Sequence, residues 1–188
     1  FEQWYGEETY KQCFRFTAVK QDDVLVVTME DITEKKHAET AFHNALLDAE
    51  KQKRLYNSIL NGTPDLVYVF SLDYKFTYAN KALLTMWGKS AEDSIGRRLI
   101  ENGYEDWHAE MHEEEIDTVV ATKKPVRGTV SFPHAELGRR IYDYIFVPVF
   151  NENGEVEFVA GTTRDITESK QAQEKLQQSE NRFRKMIH

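Results

Sequence analysis

A chain of 188 residues, 40% of them apolar, has material for one well-packed core of ordinary size plus accessory segments. Its formal net charge of -8 argues against a surface built to hold phosphate backbones, and no apolar run approaches the roughly 18 residues that cross a bilayer. The opening "FEQWYGEETY" has no basic or apolar leader region, and the single Cys13 cannot form an internal disulfide, so a cytoplasmic setting without nucleic-acid partners is expected.

In chain order, "CFRFTAV" alternates large apolar with polar or small residues, and "VLVVTMEDI" follows a turn-like "KQDD", which predicts a β-hairpin. From Glu34 to about Leu60 there is neither Gly nor Pro, and Phe42, Leu46, Ala49, Tyr56 and Leu60 fit one face of a long helix. "NGTPD" ends that helix, since Gly62 terminates helices and Thr63 precedes a proline. "DLVYVFSLDYKFTYA" predicts a second hairpin. "KALLTMWGKSAEDSIG" predicts two short helices, with stops at Gly88 and Gly96 and an N-cap at Ser90. A further helix is expected from about Asp106 to Thr122, and three strands then follow: "PVRGTVSF", "RRIYDYIFVPVF" and "EVEFVAGTTRDI". After Thr167 the residues Ala172, Leu176, Ser179, Phe183 and Met186 keep the rhythm of a coiled-coil seam.

The tetrapeptide "DITE" occurs twice, each time between a strand and a helix. "FTAVKQDDVLVVTMEDITEKKHAE" matches "FVPVFNENGEVEFVAGTTRDITESKQAQ" if the second turn is longer by four residues. In each copy Thr33 or Thr167 suits a helix cap and Asp31 or Asp165 suits the backbone donors beside it. Ile32 or Ile166 is expected to continue the inward face of the strand. The copies are offset by 134 residues at Asp31 and Asp165 but by 127 at Tyr56 and Phe183, a difference of one heptad, which would keep the same helical face toward a partner.

The stretch "TPDLVYVFSLDYKFTYANKALLTMWGKSAEDSIGRRL" and the closing "FVPVFNENGEVEFVAGTTRDITE" together resemble a PAS domain, in an array of the kind found in bacterial sensor histidine kinases. The resemblance implies an α+β fold, a five-stranded antiparallel sheet with short helices on one face, flanked by long signalling helices. It also implies a division into residues 1–33 (the last strands of an upstream PAS domain), 34–60 (a linker helix), 61–167 (a complete PAS domain) and 168–188 (an output helix). The expected function is non-catalytic: a sensory and dimerisation module, a homodimer through its linker helices, that signals to a downstream kinase or other output domain. An enzyme on a similar fold and a ligand-free dimerisation spacer are the alternatives; no acid, base and nucleophile constellation supports the first.

Candidate chemistry is sparse. His108 and His112 stand one helical turn apart, but the intervening Glu is misplaced for a zinc protease and exposed helix histidines are the expectation, with no metal site. The resemblance also raises haem on His112, a weaker reading. A flavin adduct is disfavoured because "GRRLIENGYEDW" lacks cysteine. The acidic "HEEEID" reads as a solvated helix face. Tyr68, Phe70, Tyr78, Leu83, Trp87, Met111, His112, Phe132, Tyr142, Tyr144, Phe146 and Val159 are the candidates to surround a central cavity or fill it as a packed core, and Asp31, Ile32, Thr33, Asp165, Ile166 and Thr167 are those for signal coupling.

Overall fold

The computed structural model describes residues 1–7 and 10–187, without the side chains of residues 7, 10 and 185–187, so the side chain of Met186 and all of His188 lie outside the described part. The chain divides into two compact units, Phe1–Tyr56 and Asn57–His188.

In the first unit, β1 (Glu2–Glu7), β2 (Tyr10–Gln21) and β3 (Val24–Asp31) form an antiparallel sheet in that order. The predicted hairpin is β2–β3, turned by two residues with Asp22 in the left-handed region; β1 is an additional strand. Among the described apolar side chains of this unit only Cys13 and Ile32 are buried, and Val24, Leu25, Val26, Val27 and Met29 are all exposed. Helix α1 (Thr33–Gly62) follows directly and buries none of its residues.

The second unit opens with β4 (Leu66–Ser71) and β5 (Phe76–Ala79). Helices α2 (Lys81–Trp87) and α3 (Ala91–Ser94) come next, then a 3-10 turn over Ile100–Asn102 and helix α4 (Asp106–Thr122). Strands β6 (Val126–His134), β7 (Gly138–Phe150) and β8 (Val156–Asp165) and helix α5 (Thr167–Ile187) complete it. The sheet order is β5-β4-β8-β7-β6, antiparallel throughout, so the last strand returns to pair with the first. Alternation decides which face is covered: Leu66, Tyr68 and Phe70 of β4 are buried, as are Tyr142, Tyr144 and Phe146 of β7, and all six belong to one core with residues of α2 and α4.

Three local features shape this core. Asn80, fully buried, caps α2 by accepting from the Leu83 amide and also accepts from the Val67 amide, while its Nδ2 donates to the Leu60 and Asp65 carbonyls. Gly161 lies directly opposite Tyr68, and a Cβ there would stand 2.1 Å from the tyrosine ring. Gly128 bears the same relation to Tyr144, at 2.3 Å from its hydroxyl. Two tyrosines thus lie flat over bare backbone, which only glycine permits.

The two "DIT" segments fold alike within their own units. In each, the Ile amide donates to a carbonyl of the preceding strand, Ile32 to Cys13 of β2 and Ile166 to Ile141 of β7, both at 2.8 Å. The amide of that same strand residue donates to the Thr hydroxyl, again at 2.8 Å in both. The segment from Ile141 to Ile166 spans 25 positions and that from Cys13 to Ile32 spans 19, so the second hairpin is longer by six residues, not four. A slip of two residues preserves the face of every side chain, which is why residue patterning alone does not reveal it.

Candidate functional site

Between the sheet and helices α2 and α4 lies an internal cavity of about 30 Å³, compared with the roughly 10–15 Å³ that one water requires. Of the predicted residues, Tyr68, Leu83, His112, Phe132, Tyr142 and Tyr144 line it. Phe70, Phe146 and Val159 are fully buried behind that wall, with Phe146 packed on Phe70 and on the His112 ring. Trp87 and Met111 are half-buried against the core; Trp87 donates its Nε1–H to the hydroxyl of Tyr104, itself a wall residue. Tyr78 is misplaced by the sequence reading: an irregularity in the β4–β5 pairing sets it opposite Val69, on the far face of the sheet from Tyr68 and Phe70.

The histidines require a larger correction. His108 and His112 are buried, 1% and 5% exposed, because the helix turns the stripe that carries His108, Ala109, His112, Ile116 and Val119 to the core. Their Nε2 atoms meet at 2.8 Å. His112 Nδ1 lies 2.8 Å from Glu115 Oε2, and the Tyr144 hydroxyl donates to Glu115 Oε1 at 2.7 Å. A continuous chain therefore runs His108, His112, Glu115, Tyr144, from helix α4 to strand β7. Burial above all pushes His108 down to about 3, so its imidazole is uncharged at neutral pH. On the opposite wall the Tyr68 hydroxyl bonds that of Thr163 at 2.8 Å, and burial drives the Tyr68 phenol far above its ordinary range. Tyr142 is pushed up to about 12, chiefly by burial and then by the charge of Asp165.

Haem does not fit here. Both ring nitrogens of His112 are engaged by protein groups, and the cavity is far smaller than a porphyrin. Among the described residues no three His, Cys, Asp or Glu side chains converge as a metal set.

The cavity wall continues into the strand-to-helix junction. Tyr142 pairs directly with Asp165 across β7 and β8, and a groove of about 450 Å³ shares Leu66, Met86 and Tyr142 with the cavity and reaches Asp165. Asp165 accepts from the Thr167 amide at 2.9 Å, from the Thr167 hydroxyl and from Arg140 Nε, both at 2.6 Å. Burial raises the Asp165 carboxyl, but the bonds from Thr167 and Arg140 outweigh it and hold the group below the usual carboxylate range. Val159, Gly161 and Thr163 are buried along β8, whereas Asp165 at its end is exposed; of the two isoleucines expected on the inward face, Ile32 is buried and Ile166 is half-buried. In the first unit Asp31 accepts from the Thr33 amide and hydroxyl in the same way.

His108, Tyr104, Thr163 and Glu115 were missed. A signal existed for two: Glu115 follows His108 by seven and His112 by three, one helical face, and Thr163 continues the alternation of Val159. Tyr104 sits in an irregular segment, where periodicity gives no cue.

Residues 60–171 match the family described as PAS fold. Comparison with curated proteins finds no match. Among solved structures, the PAS domain of a Colwellia psychrerythraea protein is similar at 22% identity, covering 62% of this chain and 98% of that one with a TM-score of 0.52. The PAS domain of Bordetella pertussis BvgS is similar at 23% identity, covering 70% and 98%, TM-score 0.52. The Vibrio cholerae VqmA dimer is similar at 21% identity, covering 63% and 52%, TM-score 0.54.

Proposed function

The chain belongs to the PAS-fold family, and from that premise we propose that residues 61–167 are the sensory core of a signalling module whose output leaves through α5. The observation that carries this reading is the adjacency of cavity and junction. Tyr142 is both a cavity wall and the cross-strand partner of Asp165, while the next residue along β7, Ile141, donates its amide to the Thr167 hydroxyl. A displacement of β7 by a cavity occupant is delivered to the first turn of α5 through two short bonds. Asp165, Ile166 and Thr167 do this work here, and Asp31, Ile32 and Thr33 do the same for α1. VqmA, whose fold is similar, has been solved bound to DPO, which supports a small-molecule stimulus for a cavity of this type.

The same reading makes residues 1–33 the closing strands of an upstream domain of this fold, 34–60 a linker helix and 168–188 an output helix toward a kinase or other effector. The equal bonding of the two junctions supports it. Exposed Phe42, Leu46, Leu55, Tyr56 and Ile59 on α1 favour a parallel homodimer. No helix among the described residues is long and apolar enough to cross a membrane, and a cytoplasmic module is the reading adopted. We assign no catalysis to this segment.

The test is Asp165→Ala in the parent protein. It removes the acceptor of Thr167 and Arg140 without opening the core, so folding should persist while stimulus and output become uncoupled. Normal regulation by the variant would reject the mechanism.

A further inference from the structure

The cavity has a definite hydrogen-bonding polarity, and this selects its occupant; the argument rests on the cavity being the sensory site. Two buried polar atoms beside it have no partner among the described residues, His108 Nδ1 and the Tyr142 hydroxyl, on side chains 1% and 3% exposed that both line the cavity. Glu115 fixes what the first can do. With His112 uncharged, its Nδ1–H goes to the Glu115 carboxylate and its Nε2 keeps a lone pair, so the proton between the two Nε2 atoms sits on His108 and His108 Nδ1 is left as an acceptor. The Tyr142 hydroxyl, protonated and also unpartnered, can accept a hydrogen bond or donate its own. The remaining walls are aromatic faces, with Tyr68, Tyr104 and Phe132 among them.

No Lys or Arg lines the cavity, and behind its wall stands the Glu115 carboxylate, held by two uncharged donors and no cation. Arg139, whose charge also acts on His108, is paired with Glu105 and the Ser131 carbonyl. Acceptors, π faces and an unbalanced carboxylate all favour one kind of guest. We propose that the cavity binds a small protonated amine, its N–H groups directed to His108 Nδ1 and the Tyr142 oxygen and its charge set against the aromatic walls. An anion would find one donor, the Tyr142 O–H, but would face the His108 Nδ1 lone pair and the like charge of Glu115. A neutral molecule of the same size would forgo both the aromatic and the carboxylate attraction.

The 188-residue chain, labelled with 15N, is titrated with methylammonium, with its neutral isostere methanol and with formate. The indole N–H of Trp87, which donates to the wall residue Tyr104, is the reporter. Methylammonium should shift that resonance saturably, and methanol and formate should not. Tyr142→Phe removes a hydroxyl that has no partner to lose, so it should fold normally and weaken methylammonium binding about 3- to 10-fold. Glu115→Gln should weaken it at least 10-fold. Equal responses to methanol, or saturation by formate alone, overturn the cation assignment. Filling the cavity by Leu83→Phe in the parent protein separates the two levels: regulation lost in that variant while the unaltered chain fails to bind methylammonium leaves the sensory reading standing and rejects only the amine, whereas intact regulation in the variant rejects both.

Discussion

The strands β1–β3 and β6–β8 make the same ladder, end in the same three residues and bond them to the middle strand at the same distances, yet one sheet is nearly bare and the other has a covered face. Aligned on these bonds, Phe14 corresponds to Tyr142, Phe16 to Tyr144, Ala18 to Phe146, Leu25 to Val159 and Val27 to Gly161. The strand-to-helix junction is therefore a local structure, set by an Asp that accepts from the following Thr and by a Thr that accepts from the neighbouring strand. It forms without the core that it serves. What the core adds is selection at particular positions: an exposed valine is tolerated in β3 at the place where β8 requires glycine.

The most severe way to break the comparison is to make the two sheets alike at that place. Gly161→Val drives a side chain into the Tyr68 ring and should cost about 3–5 kcal/mol, enough to abolish a cooperative melt of the second unit. Val27→Gly in the first unit should be felt only as the strand's own propensity, below about 1 kcal/mol. Calorimetry on both variants decides the point.

Acid separates the units next. The unfolded chain protonates His108 near pH 6.5 whereas the folded core resists until about pH 3, so the unfolded state binds the extra proton throughout that window. The contribution is fully present above pH 6.5 and is lost as pH falls toward 3, by about 2 kcal/mol at pH 5. Urea unfolding at pH 7 and pH 5 should show it, and His108→Leu should flatten the difference. An unchanged slope in that variant would place the acid sensitivity elsewhere.

Thr167→Ala should cost about 1–2 kcal/mol and speed hydrogen exchange at the Ile141 amide, which loses its acceptor. Thr33→Ala should do the same at Cys13 and leave Ile141 unchanged. Serine at either position should restore protection. If Thr167→Ala also exposed Cys13, the junctions would not be independent. The smallest effect is expected from Leu25→Thr on the bare face, within about 0.5 kcal/mol, although the equivalent Val159 is fully buried.

The sequence made the elements of this fold legible because each has a local cause. Asp106–Thr122 was expected with its observed bounds, since helical period, an acidic start and the Lys-Lys-Pro stop agree there. The "DIT" caps were legible for the same reason. Facing was harder. The histidines of α4 were assigned to solvent because polar residues surround them, but a helix buries a stripe, and "HEEEID" contributes His112 and Ile116 to the buried side and Glu113 and Glu114 to the other. Tyr78 was lost to a bulge, which shifts a period of two by one residue and leaves no mark in composition. The polarity of the cavity depends on two ring nitrogens meeting across one helical turn, a matter of rotamer that residue identities do not encode.

Asn80 has a consequence for the incoming side of the molecule. Its amide group grips the last turn of α1 at Leu60, the start of β4 at Asp65 and Val67, and the amide of Leu83, whose side chain faces the cavity. Torque on α1 cannot move the Leu60 carbonyl without either snapping a 2.8 Å bond or carrying the asparagine with it. Under the proposed function the asparagine would work as a clutch plate between an input shaft and the chamber wall, so that twisting α1 retunes the pocket as a guest would adjust α5.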